Sequence, residues 1–215
     1  MTDQTFPPST LSPAERPAHR VTFEDYMRLY AENFAEWVEG EVIPLSPVTY
    51  EHNQLDGFFY HMLRIFLSRS RMGRVLRSPF VMRLSPDAPA REPDLQVILN
   101  ENLPIIQPTL TVGAADVVIE IVSKESQHRD LVEKYDEYEA GGVREYWLIN
   151  PLRKQVDFYE RTPNGIFQRI ELENGLLCSR VLLPFRFRPE ILWNNSAQLD
   201  DDDYVRALVD AMFKE

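Results

Sequence analysis

Cysteine occurs once, at Cys178, so the chain closes no internal disulfide, which fits a reducing, cytoplasmic setting. The four histidines, His19, His52, His61 and His128, form no H-x₃₋₅-H pair, and no C-x-x-C is present, which argues against a structural zinc site. The chain also lacks G-x-x-x-x-G-K-[ST], G-x-G-x-x-G and G-x-S-x-G, the signals of P-loop NTPases, dinucleotide binders and α/β-hydrolases. No apolar run reaches the roughly 18 residues that a membrane helix needs. The opening "MTDQTFPPSTLSPAERPAHR" has no apolar core, so it does not read as a secretory signal. Its prolines, serines and threonines predict a flexible lead-in over residues 1–19. A surplus of positive charge is missing too: the formal net charge is −11, which argues against a strong non-specific hold on nucleic acid. A local basic groove, or metal ions that offset acidic groups, stays compatible with that charge.

What is present suits one soluble domain. The chain has 215 residues, 44% of them apolar and 27% charged. Thr22 and Asp25 resemble a capping box and predict a short helix over residues 22–33. "WVEGEVIPLSP" reads as two short strands with Glu39-Gly40 at the turn. Apolar residues from Leu55 to Phe66 are spaced for an amphipathic helix over Thr49–Arg69. "RVLRSPFVMRLS" reads as a strand interrupted at Pro79, "PDLQVILN" as a strand, and "ENLPIIQPTLTVG" as a loop. "ADVVIEIVS" is almost wholly apolar and predicts a central strand. Ser126 is placed to start a helix that runs to Ala140 and stops at Gly141-Gly142. "VREYWLINP" follows as a strand, and "QVDFYER" with "IFQRIEL" as a hairpin. "RVLLPFRF" would add a last strand, and residues 196–215 a terminal helix with an acidic start. The expected organisation is a single α/β domain over residues 20–195, carrying that helix at its end.

Inside the central strand sits a carboxylate, Glu120, and a buried charge needs a partner. Asp94 opens a neighbouring strand, so two carboxylates could meet and form a hard-oxygen site for Mg²⁺ or Mn²⁺. The plainer alternative has Asp94 capping its strand and Glu120 pairing with Lys134 or an arginine. Lys134 shares a helix face with Asp130 and Tyr138. That spacing fits a surface ion pair, and equally an ammonium held over a scissile phosphate. Tyr146 and Trp147 read as sheet packing, and Ser123 as a turn residue.

The blocks "REPDLQVIL" and "ADVVIEIVSKESQHRDLVEKYDEYEAGGVREYWLINPLRKQVDFYER" resemble the Uma2 family, also called DUF820. "EWVEGEVIPLSPVTYEHNQL" is similar to that family's Glu-x-x-x-Gly-x-x-x-x-x-Ser-Pro…His segment. The resemblance covers about residues 20–190 and implies a restriction-endonuclease-like mixed β-sheet core flanked by helices, of the PD-(D/E)xK superfamily. It further implies a Mg²⁺-dependent (or Mn²⁺-dependent) endonuclease acting on DNA. Carried over, Asp94 and Glu120 hold the metal with the Ile121 carbonyl, and Lys134 replaces the lysine missing at Val122. Glu39, His52 and Asp130 stand as auxiliary residues and Arg91 as a phosphate contact. By analogy with enzymes that cut both strands, a homodimer is expected. A basic groove from Arg64, Arg69, Arg71, Arg74 and Arg77 would favour turnover on DNA. The alternatives are a non-catalytic binding or regulatory module, which the net acidity favours, and a subunit of a larger assembly.

Overall fold

A computed structural model describes residues 20–31 and 33–214; the lead-in expected over residues 1–19 lies outside them. Helix α1, Phe23–Leu29, starts at Thr22, whose hydroxyl accepts from the Asp25 N–H. Strands β1, Ala35–Val38, and β2, Glu41–Pro44, form a hairpin about Glu39-Gly40. Gly40 has φ +89°, and a Cβ there would meet the Arg20 side chain, so glycine suits both the turn and its cover. Helix α2, Tyr50–Ser70, is capped by Thr49 and buries Leu55, Phe58, Phe59, Met62, Leu63 and Phe66.

Beyond α2 the chain divides between two mixed sheets. Strand β3, Gly73–Arg77, and strand β4, Val81–Arg83, are separated at Pro79 and enter different sheets. Strands β5, Ala90–Arg91, and β6, Leu95–Leu99, separate in the same way. The stretch expected as a loop instead holds a 3₁₀ turn, Asn100–Ile105, and strand β7, Leu110–Val112. Tertiary pairing creates β7: it runs parallel to β4, and Thr111 donates to Gln96 Oε1 at 2.9 Å. Strand β8, Val117–Ile121, is interior, with β6 on one side and β9, Glu145–Asn150, on the other. Strands β10, Gln155–Arg161, and β11, Phe167–Arg169, form the expected hairpin. The six-stranded order is β11-β10-β9-β8-β6-β3, and the five-stranded order is β2-β1-β5-β4-β7.

"RVLLPFRF" does not add to either sheet. A separate ribbon joins β12, Leu177–Cys178, to β13, Arg186–Phe187. Glu145 anchors this region by accepting from Trp147 Nε1, Ser179 Oγ and the N–H groups of Arg180 and Val181. Trp147 stacks on Phe158 at 3.9 Å between ring centroids and is fully buried, which is a packing role.

The six-stranded sheet is covered on both faces. Val117, Ile119 and Ile121 join the apolar cluster beneath α2 and the terminal helices α4, Ile191–Asn194, and α5, Asp202–Met212. Val118, Tyr146 and Leu148 point the other way, toward helix α3, Lys134–Gly141. A smaller cluster around Tyr26, Val42 and Val81 joins α1 to the five-stranded sheet. Among the described residues, no helix is long and apolar enough to cross a membrane.

Candidate active site

Alternation along β8 decides where Glu120 points. Val117, Ile119 and Ile121 face α2, so Val118 and Glu120 face α3. Strands β6 and β8 pair Leu95 with Ile119 and Gln96 with Val118. The same register carried one residue further sets Asp94 across from Glu120. Asp94 Oδ2 accepts from the Ile121 N–H at 2.7 Å and lies 3.3 Å from His52 Nε2. Burial works against a charged His52 ring, but Asp94 outweighs it and holds the histidine above its ordinary value.

The segment after β8 turns back through Ser123 and Ser126, whose hydroxyls and N–H groups bond one another. A π-helical turn follows at Arg129–Glu133, ahead of α3. The Tyr146 hydroxyl donates to the Asp130 carbonyl within that turn at 2.9 Å. Asp130, Lys134 and Tyr138 all face inward. Lys134 Nζ lies 2.8 Å from Glu120 Oε1, 3.1 Å from Glu36 Oε1 and 3.3 Å from Asp130 Oδ1. The Tyr138 hydroxyl donates to the same Glu120 oxygen at 2.9 Å. Lys134 is only 3% exposed, which rules out the surface-pair reading of its spacing with Asp130.

Three carboxylates around one ammonium set the electrostatics. Burial disfavours the Lys134 charge, yet Glu120, Glu36 and Asp130 together hold its pKa well above the ordinary lysine value. Burial likewise pushes the carboxyls up, and their pairing sorts them. Cations from Lys134, Arg91 and Arg129 bring Glu36 down to about 2. Glu120, with Asp130 and Asp94 for neighbours, stays raised at about 8. Asp130 is raised as well, chiefly by burial.

Two expected residues are placed elsewhere. Glu39 is exposed at the turn of the β1–β2 hairpin and does not line the cavity, because alternation along β1 turns Glu36 inward instead. The Glu-x-x-x-Gly spacing ending at Gly40 fits Glu36, and that was the sequence signal for it. Arg91 is 1% exposed and does not face a substrate path. It bonds Glu137 at 2.6 and 2.8 Å and Glu36 at 3.0 Å, so it locks α3 to β1. Glu36 and Glu92 are residues that sequence reasoning passed over, and Tyr138, placed on the Lys134 face, was given no role.

A cavity of about 260 Å³ opens where these elements meet. Its walls include Asp94, Glu120, Ile121, Asp130, Lys134 and His52, with the Pro44–Val48 loop along one side. Glu92 also lines it, is 3% exposed, and has no hydrogen-bond partner at either carboxylate oxygen. Burial, then Glu36, pushes its carboxyl up to about 8. Asp130 Oδ1 meets the Lys134 ammonium at 3.3 Å without a well-aligned hydrogen bond. Among the described residues, no three His, Cys, Asp or Glu side chains converge as a ready ligand set. The donors are nevertheless hard oxygens with unmet acceptor capacity. That chemistry fits Mg²⁺ or Mn²⁺, which take few protein carboxylates and keep several waters.

The family model of Uma2, described as "Putative restriction endonuclease", matches residues 23–188. No curated protein matches. Among solved structures, the chain is similar to the crystal structure of "a putative nuclease belonging to DUF820" from Anabaena variabilis. The two are 16% identical with a TM-score of 0.68, over 82% of this chain and 99% of that one. At that identity the likeness concerns the fold.

Proposed function

The chain belongs to the Uma2 family, and from that premise we propose that it is a divalent-metal-dependent endonuclease hydrolysing phosphodiester bonds of DNA. The observation that carries this reading is the meeting of Asp94, Glu120 and Lys134 at one cavity, with Lys134 bonded to Glu120 at 2.8 Å. Asp94, Glu120 and the Ile121 carbonyl would hold Mg²⁺ or Mn²⁺, and Glu92 lines the same cavity. When bound, such an ion lowers the pKa of water and offsets charge on a phosphoryl group.

The chain's own groups do the rest. Lys134 keeps its proton under three carboxylates, so it acts as a fixed positive charge beside the phosphate and not as a base. Tyr138 and Arg91 position it: Tyr138 shares its Glu120 oxygen, and Arg91 ties Glu36 to α3. His52 stands 3.3 Å from Asp94 Oδ2 and steadies that carboxylate. A homodimer would supply the second site for cutting both strands.

The test is relaxation and linearisation of supercoiled plasmid with Mn²⁺. The wild type is expected to cut, and Glu120→Gln and Lys134→Met to lose at least about a hundredfold in rate. Cutting that survives Glu120→Gln would overturn the assignment. A second reading, a nuclease-fold module without turnover, draws on the net charge of −11. It predicts metal binding without cleavage.

A further inference from the structure

The most basic stretch of the sequence does not form one patch. Arg71 ends α2 with φ 55°, and Arg74 pairs with Ile98 on the α3 face of the sheet. Arg64 and Arg69 instead line a groove of about 550 Å³ with Tyr60, His61, Ile65, Ser68 and Arg206. Helix α5 supplies Arg206 because it runs parallel to α2: His61 meets Asp202 at 3.5 Å, and Arg69 meets Asp210 further along both helices. Those two aspartates occupy His61 and Arg69. Arg64 and Arg206 have no acidic partner among the described residues, and no carboxylate lines the groove.

The groove is joined to the cavity by one row of side chains. His52, Asp56, Tyr60 and Arg64 follow each other at intervals of four along α2. His52 touches Asp94, Asp56 pairs with Arg77, and Tyr60 carries guanidinium groups over its ring from Arg77 at 5.6 Å and Arg64 at 5.8 Å. From His52 to Arg64 the helix rises about 18 Å. That spans about five base pairs of duplex at 3.4 Å each.

We infer that this α2–α5 groove is a phosphate-backbone site for nucleic acid, in which Arg64 and Arg206 hold a substrate strand about five base pairs from the scissile phosphate. The inference rests on the nuclease reading and adds to it where the polyanion lies. It also accounts for how a chain of net charge −11 can hold such a substrate: Arg64 and Arg206 stand in a groove that no carboxylate lines. Tyr60 steadies the Arg64 guanidinium over its ring beside that contact.

The test is fluorescence anisotropy with a labelled duplex of about 30 base pairs in EDTA, across a range of salt concentrations. Each phosphate contact contributes about 0.9 to the slope of log K against log salt. Arg64→Ala/Arg206→Ala is expected to lower that slope by about 1.8 and weaken binding on the order of tenfold at about 0.1 M salt. Arg153→Ala, an exposed charge between β9 and β10, serves as control and is expected to leave the slope unchanged. A wild-type slope in the double variant, an equal loss in the control, or no duplex binding by the wild type would overturn the inference. Hydrolysis of bis(p-nitrophenyl) phosphate, too small to span 18 Å, is expected to be unaffected by the double variant. Its absence in the wild type would count against the nuclease reading and leave the binding result standing.

Discussion

Lys134 Nζ stands 2.8 Å from Glu120 Oε1, with both side chains buried between β8 and α3. A buried pair of this kind is costly to break from one side, because the remaining charge keeps no partner. Here the consequence is larger, since Glu36 and Asp130 lean on the same ammonium.

Lys134→Met is therefore expected to lower unfolding stability by about 3–5 kcal/mol, read by urea denaturation at neutral pH. A loss below about 1 kcal/mol would mean that the carboxylates are solvated and the cluster is not closed.

Glu92 gives a pH test with a defined sign. Its folded pKa of about 8 lies above its ordinary 4.5, so the folded state holds a proton that the unfolded chain releases. This contribution is full below about pH 4.5 and is lost as the pH rises towards 8. Glu92→Gln removes the dependence. Its unfolding free energy is expected to rise relative to the wild type as pH goes from 5 to 9, by a few kcal/mol across that range in urea denaturation. A constant difference across that range would contradict the burial assigned to Glu92.

Glu36 acts in the opposite sense. Its folded pKa of about 2 lies below the ordinary 4.5, so its contribution is present above 4.5 and is lost as pH falls towards 2. Glu36→Gln is expected to be less stable than the wild type at pH 7, with the gap closing by about pH 2. Melting curves at both ends of that range check it.

Metal binding is checked by stability without reference to turnover. Mg²⁺ or Mn²⁺ at a hundred times its dissociation constant is expected to stabilise the wild type by about 2.7 kcal/mol, and Asp94→Ala by far less. No metal-dependent shift in the wild type would remove the site as drawn.

Glu145 carries a prediction about scaffold alone. Four donors converge on its carboxylate: Trp147 Nε1, Ser179 Oγ and the N–H groups of Arg180 and Val181. Glu145→Ala leaves them buried and unmatched, and a loss of about 3 kcal/mol or more is expected in urea unfolding. Glu145→Gln, which keeps an acceptor, is expected to recover part of it.

Much of this was legible in the sequence because it depends on local periodicity. The nearly unbroken apolar run around "VVIEI" marked a buried strand that carries one carboxylate, and the spacing of Asp130, Lys134 and Tyr138 put all three on one helix side. Packing of Tyr146 and Trp147 followed from their place in an apolar strand. Strand β7 was not legible, since Pro104 and Pro108 ahead of it made the stretch read as a loop and only its pairing with β4 makes it a strand.

Sequence by itself thus determined which residues carry charge on which face of each element. Tertiary structure decided what those charges meet. The β6–β8 register set Asp94 beside Glu120, and the approach of α3 turned Lys134 from a candidate surface cation into the buried centre of three carboxylates. It also turned Glu36 inward in place of Glu39, and sealed Arg91 against Glu36 and Glu137. The physical reason is range. Propensity and periodicity act over a few residues, whereas the cost of burying a charge depends on partners that the fold brings from 14 to 98 positions away.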